Sequence, residues 1–127
     1  MKNCRIKLSS TVDGKKTETA YEGQIEVLDN LITVSYAEEQ AFVELRLMDK
    51  KVSMQRTGDY TLKLAFEKGK VCNGLLGIAG SEGALQTETT RLAYLVTDDS
   101  FMLTLHYKLL IGIETQDMRL RLDAKIG

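Results

Sequence analysis

The stretch Phe101-Met102-Leu103-Thr104-Leu105-His106-Tyr107-Lys108-Leu109-Leu110-Ile111 decides the fold class. Phe101, Leu103, Leu105, Tyr107, Leu109 and Ile111 take every second place, with Thr104, His106 and Lys108 among the residues between them. Period two belongs to a strand with one face on a core, because successive side chains leave a sheet on opposite faces. Asp98-Asp99-Ser100 marks a turn before this run, and Gly112 to Asp117 turns the chain after it. Met118, Leu120, Leu122, Ala124 and Ile126 then alternate with Arg119, Arg121, Asp123 and Lys125. The outward Arg119 and Arg121 read as charges that protect a terminal edge strand from unwanted pairing.

The same alternation runs back to the N-terminus. Cys4, Ile6, Leu8 and Val12 lead to Asp13-Gly14, a strong hairpin signal. The return run places Thr17, Thr19, Tyr21, Gly23, Ile25 and Val27 on one face. Beyond Asp29-Asn30 come Ile32, Val34 and Tyr36, and beyond Glu38-Glu39-Gln40 come Val43, Leu45 and Leu47. After Asp49-Lys50, Val52, Met54 and Arg56 share a face as far as Gly58-Asp59, and Tyr60, Leu62, Leu64 and Phe66 come next. The segment 67–83 holds Gly69, Gly74, Gly77, Gly80 and Gly83. It predicts one short strand near Val71 and then an irregular segment, read first as a mobile loop or bulged crossover and, as the functional alternative, as a lid over an open barrel end. Leu85, Thr87 and Thr89 resume the pattern, a bend interrupts it, and Leu92, Tyr94 and Val96 continue it.

The sum is about ten strands and no helix, with turns spaced as in a meander. Such a strand content needs a reason, and barrel closure supplies one, since it leaves no unpaired edge. The expected fold is therefore all-β: one antiparallel up-and-down barrel of about ten strands, residues 1–127 forming a single domain. A sandwich of two sheets would show the same alternation. The near-continuous hairpin order favours an up-and-down barrel over a Greek key. The absence of proline agrees, because proline cannot donate to a ladder.

Composition bounds the function classes. Seventeen Lys and Arg against 18 Asp and Glu leave a net charge of -1, without the basic surplus of a nucleic-acid binder. No apolar run approaches the ~18 residues of a membrane span, so membrane insertion is not expected. The N-terminus alternates charged and apolar residues and has no signal-peptide core, which points to a cytoplasmic protein. In that compartment Cys4 and Cys72 are expected as reduced thiols.

Catalytic signals are thin. His106 is the only histidine and faces away from the core by parity, as a solvated surface residue would. One histidine and two distant cysteines do not make the usual zinc spacings, and no metal or cofactor is expected. Gly80-Ser81-Glu82-Gly83 has the wrong spacing for a nucleophile elbow. Gly74, Gly77, Gly80 and Gly83 form neither a phosphate-binding loop nor a dinucleotide fingerprint. Glu38-Glu39 and Asp98-Asp99 read as solvated turn residues. No set of nucleophile, base and orienting group can be assembled, so an enzyme is not expected.

The inward face carries the sharper signal. Tyr21, Tyr36, Tyr60, Tyr94 and Tyr107 all fall in phase with the apolar residues of their strands, and so does Arg56. The plain reading is packing, with tyrosine hydroxyls at a rim and Arg56 paired to an acid. The functional reading is a lumen that holds a small amphipathic anion. Arg56 would take a carboxylate or phosphate bidentately beside the tyrosine hydroxyls. Thr17, Thr19, Thr87 and Thr89 would add polar lining. A bulge would reverse the phase of any one strand.

Several short elements follow one another along the chain: Ile32-Thr33-Val34-Ser35-Tyr36-Ala37-Glu38, then Arg56-Thr57-Gly58 within Met54-Gln55-Arg56-Thr57-Gly58, then Phe66-Glu67-Lys68-Gly69. Gly83-Ala84-Leu85-Gln86-Thr87-Glu88-Thr89 and His106-Tyr107-Lys108-Leu109 complete the series. In order and spacing they together resemble the YwiB-like proteins, a bacterial family of unknown function. The resemblance implies a calycin-like, lipocalin-like barrel and assigns no activity. This chain departs where the family tends to carry aromatics, at Ile78 and Glu82, so a site lined by them is altered here.

Two functions are consistent with these readings. The first is a binding module holding a small amphipathic or anionic ligand in the barrel. The alternative is a non-catalytic interaction or assembly protein, monomer or homodimer, whose barrel is filled by side chains and whose partner meets an edge strand or the glycine-rich segment.

Overall fold

A computed structural model describes residues 1–127. Ten strands succeed one another without a helix: β1 (Lys2–Val12), β2 (Lys15–Leu28), β3 (Leu31–Glu38), β4 (Ala41–Met48) and β5 (Lys51–Gly58). The second half adds β6 (Tyr60–Glu67), β7 (Val71–Ile78), β8 (Ser81–Val96), β9 (Ser100–Ile111) and β10 (Glu114–Ile126). Every strand pairs antiparallel with its sequence neighbour, and β10 returns to β1 to close the barrel. Closure runs from Cys4 opposite Ile126 to Val12 opposite Met118.

Tight turns set each register. Both central residues have positive φ at Asp13-Gly14, Asp49-Lys50 and Ala79-Gly80, the conformation whose twist matches a two-residue hairpin. The β1–β2 turn is also tied to β10: the Asp117 backbone N–H donates to the Asp13 carboxylate at 2.8 Å.

The alternation puts a continuous apolar core inside. Nineteen buried apolar residues form one cluster, drawn from every strand except β7, which adds the partly buried Leu76. Leu45, Leu47, Phe66, Phe101, Leu103, Leu105 and Leu122 are among its largest fully buried members. Burial of this much apolar surface is the main force holding the chain closed.

The segment 67–83 departs from expectation. It contains no lid loop: β7 is a full strand of eight residues, joined to β8 by the tight Ala79-Gly80 turn. Gly74 serves close packing there. A Cβ at this position would lie 2.5 Å from the Lys63 carbonyl oxygen and 2.7 Å from Leu85 Cδ1. β6 and β7 pair only between Tyr60–Lys63 and Leu75–Ile78, so their other halves open into a seam.

Two strands overrun their neighbours. β2 meets β3 only from Gly23 to Leu28, so Thr17 and Thr19 stand exposed above the barrel rather than lining it. Val27 and Val96, expected inside, lie exposed at strand ends. β10 is no edge strand: β1 pairs one side of it and β9 the other. Edge protection therefore does not explain Arg119 and Arg121.

Candidate functional site

Arg56 points inward at the end of the barrel formed by the β5–β6 turn, and its side chain keeps only 11% of its surface exposed. Its guanidinium is already engaged. Nη1 donates to the Tyr60 carbonyl at 2.9 Å, and Nη2 donates to Asp59 Oδ1 at 2.8 Å. Glu38 Oε2 lies 3.9 Å from Nε, and the guanidinium carbon sits 3.7 Å from the centre of the Tyr60 ring. Burial opposes the charge, but the Asp59 hydrogen bond, Tyr60 and the two carboxylates outweigh it and hold the Arg56 pKa above its ordinary value. The same hydrogen bond from Arg56 holds the Asp59 carboxyl below the usual range. Glu38 is thus a half-buried partner of Arg56 rather than a solvated turn residue.

Tyr21 and Tyr36 stack with ring centres 4.7 Å apart and planes inclined by 25°. Tyr36 is buried, and its phenol is raised by desolvation and by the nearby Glu38 and Tyr21. Tyr21, Tyr36, Tyr60 and Arg56 therefore gather at one end, linked through Glu38. Tyr107 is apart from them. It meets Phe66 edge to face at 4.6 Å in the core, and burial pushes its phenol up to about 12. Tyr94 is half-buried against the core on β8, opposite Leu103.

The threonines divide in the same way. Thr87 donates its hydroxyl to the Ala65 carbonyl, reaching across the seam from β8 to β6. Thr89 is buried, and its hydroxyl has no hydrogen-bond partner. The expected site residues thus occupy several places along the barrel, and the one inward cation among them is neutralised from within.

Outside the barrel, β8 is irregular between Thr89 and Arg91. Thr89 pairs with Tyr107 and Arg91 with His106, so Thr90 is the extra residue of a bulge. The phase reverses there. Leu85, Thr87 and Thr89 face in, and the inward places then pass to Leu92 and Tyr94. Arg91 is turned outward beside His106, which alternation from Thr87 and Thr89 would not have shown; the break in period at Thr89-Thr90-Arg91 was its only trace. His106 lies on the outer face, half-buried, with its pKa lowered by desolvation and by Arg119 and Arg91, and raised in part by Asp117.

Cys4 is buried and Cys72 half-buried, and neither forms a disulfide. Burial and then Glu22 raise the Cys4 thiol above its ordinary value. No group of three or more His, Cys, Asp or Glu side chains converges as metal ligands would.

The crystal structure of the ywiB protein from Bacillus subtilis is similar over 99% of this chain and 92% of its own, with a TM-score of 0.89 and 17% sequence identity. That likeness shows the fold. No curated protein matches the sequence. The model of a domain of unknown function, DUF1934, matches residues 3–122, and the chain belongs to that family.

Proposed function

We propose that this protein is a non-catalytic cytoplasmic interaction module, a filled barrel that binds through its outer surface. The observation that carries this reading is the state of Arg56. A lumen built to take an anion would leave that guanidinium open, but Asp59, Glu38 and the Tyr60 carbonyl already surround it. The nineteen-residue core and the Phe66–Tyr107 contact support it further, since they occupy the interior a ligand would need.

The test is native mass spectrometry on protein purified without denaturation or delipidation. The expected spectrum shows the bare polypeptide mass, as monomer or dimer. An added small-molecule mass that is lost on denaturation and survives substitution of the outward Arg91 and Arg119 would overturn the filled-barrel reading.

One observation favours a second reading, a calycin-type carrier of a small apolar molecule. The seam beside the β6–β7 ladder borders an open groove of about 610 Å³, lined in part by the core residues Leu64 and Leu85 and by Leu75, Ala84 and Leu110. In that case Ala84→Trp would displace the adduct from the spectrum.

A further inference from the structure

We propose that the outer face of β8, β9 and β10 carries an oxyanion site, in which Arg91, His106 and Arg119 hold the phosphate of a small phosphomonoester. This rests on the reading of the barrel as a module that binds through its outer surface.

The three residues form one row across the sheet. Arg91 lies directly opposite His106, and His106 directly opposite Arg119. Directly opposed side chains on neighbouring strands have Cβ atoms ~4.5–5.5 Å apart, and like charges so placed repel. Elsewhere several outer cations face a carboxylate directly. Arg5 has Glu22 on one side although Lys125 lies on the other, Lys51 faces Glu67, and Lys108 stands between Glu88 and Asp117. Arg91 and Arg119 have no carboxylate partner, whereas Arg121 on the same face is paired with Asp123 at 3.1 Å. A cationic row without a counter-charge is a defect in the free protein and an asset when an anion binds.

The bulge is a second, independent observation. A bulge adds one residue to a strand and re-aims the side chains beyond it. Here it makes Arg91 an outward residue and brings it into the row; without it Arg91 would point at the core. The Thr90 hydroxyl donates to the His106 carbonyl at 3.2 Å, tying the bulge to the strand that carries the imidazole. Edge protection gives no alternative reason for Arg119, because β10 is paired on both sides.

The row opens into a surface depression of about 250 Å³, where Arg121, Ser9 and Thr104 supply further donors. That size suits one phosphate group and a small substituent. Arginine forks match phosphate oxygens bidentately, and hydroxyls and a histidine N–H add hydrogen bonds. A monoester dianion fits two free arginines and one protonated imidazole. A nucleic acid fits less well: Glu88, Asp117 and Asp123 border the row, and no exposed aromatic lies in it to stack bases.

His106 reports the site directly, because it is the only histidine in the chain. Arg91 and Arg119 flank it on β8 and β10, Asp117 and Arg121 lie diagonally on β10, and Lys108 is the next outward residue on its own strand. The imidazole pKa is read by NMR in the intact protein while inorganic phosphate or phenyl phosphate is added, with sodium chloride at matched ionic strength as control. The expected result is a saturable upward shift with either phosphate and none with chloride, phenyl phosphate binding more tightly if a monoester is the ligand. Arg91→Gln and Arg119→Gln, both at solvent-facing positions, each weaken phosphate binding at least fivefold. Each also raises the His106 pKa of the free protein by removing a neighbouring cation. An equal shift with chloride, or unchanged affinity in the double variant, overturns the site. Tighter binding of single-stranded oligothymidylate than of phenyl phosphate replaces the monoester with nucleic acid and overturns the proposal. Native mass spectra of the same samples keep the two readings apart. An adduct that survives in the double variant belongs to the barrel interior and counts against the filled barrel, not against this site.

Discussion

The Arg56 guanidinium lies over the ring of Tyr60 at 3.7 Å, while one of its nitrogens donates to the carbonyl of that same residue. One residue thus supplies both a π face and an acceptor, and Asp59 beside it supplies the charge. The arrangement locks the β5–β6 turn against the barrel end. Arg56→Ala should destabilise the fold by about 1–3 kcal/mol, the combined scale of a cation–π contact and charged hydrogen bonds. Arg56→Lys should recover only part of this, because an ammonium lacks the planar fork. Urea unfolding measures both. Wild-type stability in Arg56→Ala would show that the contacts are incidental.

Alkaline stability depends on the buried phenols. Tyr36 and Tyr107 are both raised above the ordinary value of 10.0 by burial, Tyr107 to about 12. In the unfolded chain they ionise near 10, so the native state binds more protons than the unfolded state above that pH. Their contribution is complete below pH 10 and is lost as pH rises toward 12. Ultraviolet titration should show these two tyrosines resisting ionisation until unfolding exposes them. Tyr107→Phe and Tyr36→Phe should each flatten the alkaline loss.

His106 acts at the other end of the pH scale. Desolvation, Arg119 and Arg91 lower its pKa in the folded protein, so acid protonates the unfolded chain first. Its contribution to stability is present above the ordinary value of 6.5 and declines as pH falls toward the lower folded value. Arg119→Gln should shallow that decline, measured as the pH dependence of the urea midpoint.

Two glycines of the 67–83 segment should separate cleanly. Gly74→Ala drives a Cβ against the Lys63 carbonyl and Leu85, and overpacking of this kind costs ~1–3 kcal/mol. Gly83→Ala meets nothing within 4 Å and should change stability by less than ~0.5 kcal/mol. Thermal unfolding of the pair distinguishes close strand packing from a mobile loop, in which both would be silent.

Core truncation should be severe. Phe66 is fully buried against Tyr107, and Phe66→Ala should cost ~3–5 kcal/mol. A loss below about 1 kcal/mol in chemical denaturation would mean the interior is loosely packed and has room for a ligand.

Strand order, the inward face and most turns were legible in the sequence, because each is local. Alternation from Phe101 to Ile111 and the Asp13-Gly14 and Asp49-Lys50 turns depend on neighbours only a few residues away. The glycine-rich 67–83 segment was not legible, since its Gly74 answers to Lys63 and Leu85 on other strands. The strand content pointed to barrel closure, but only the tertiary structure fixes the register in which β1 meets β10 and shows that β10 is no edge strand. It also decided that Arg56 meets Glu38 across the barrel end and that a one-residue bulge carries Arg91 to His106. Parity propagates along a strand only while the ladder is regular. One extra residue reverses it, and each side chain beyond then belongs to whatever the neighbouring strands present.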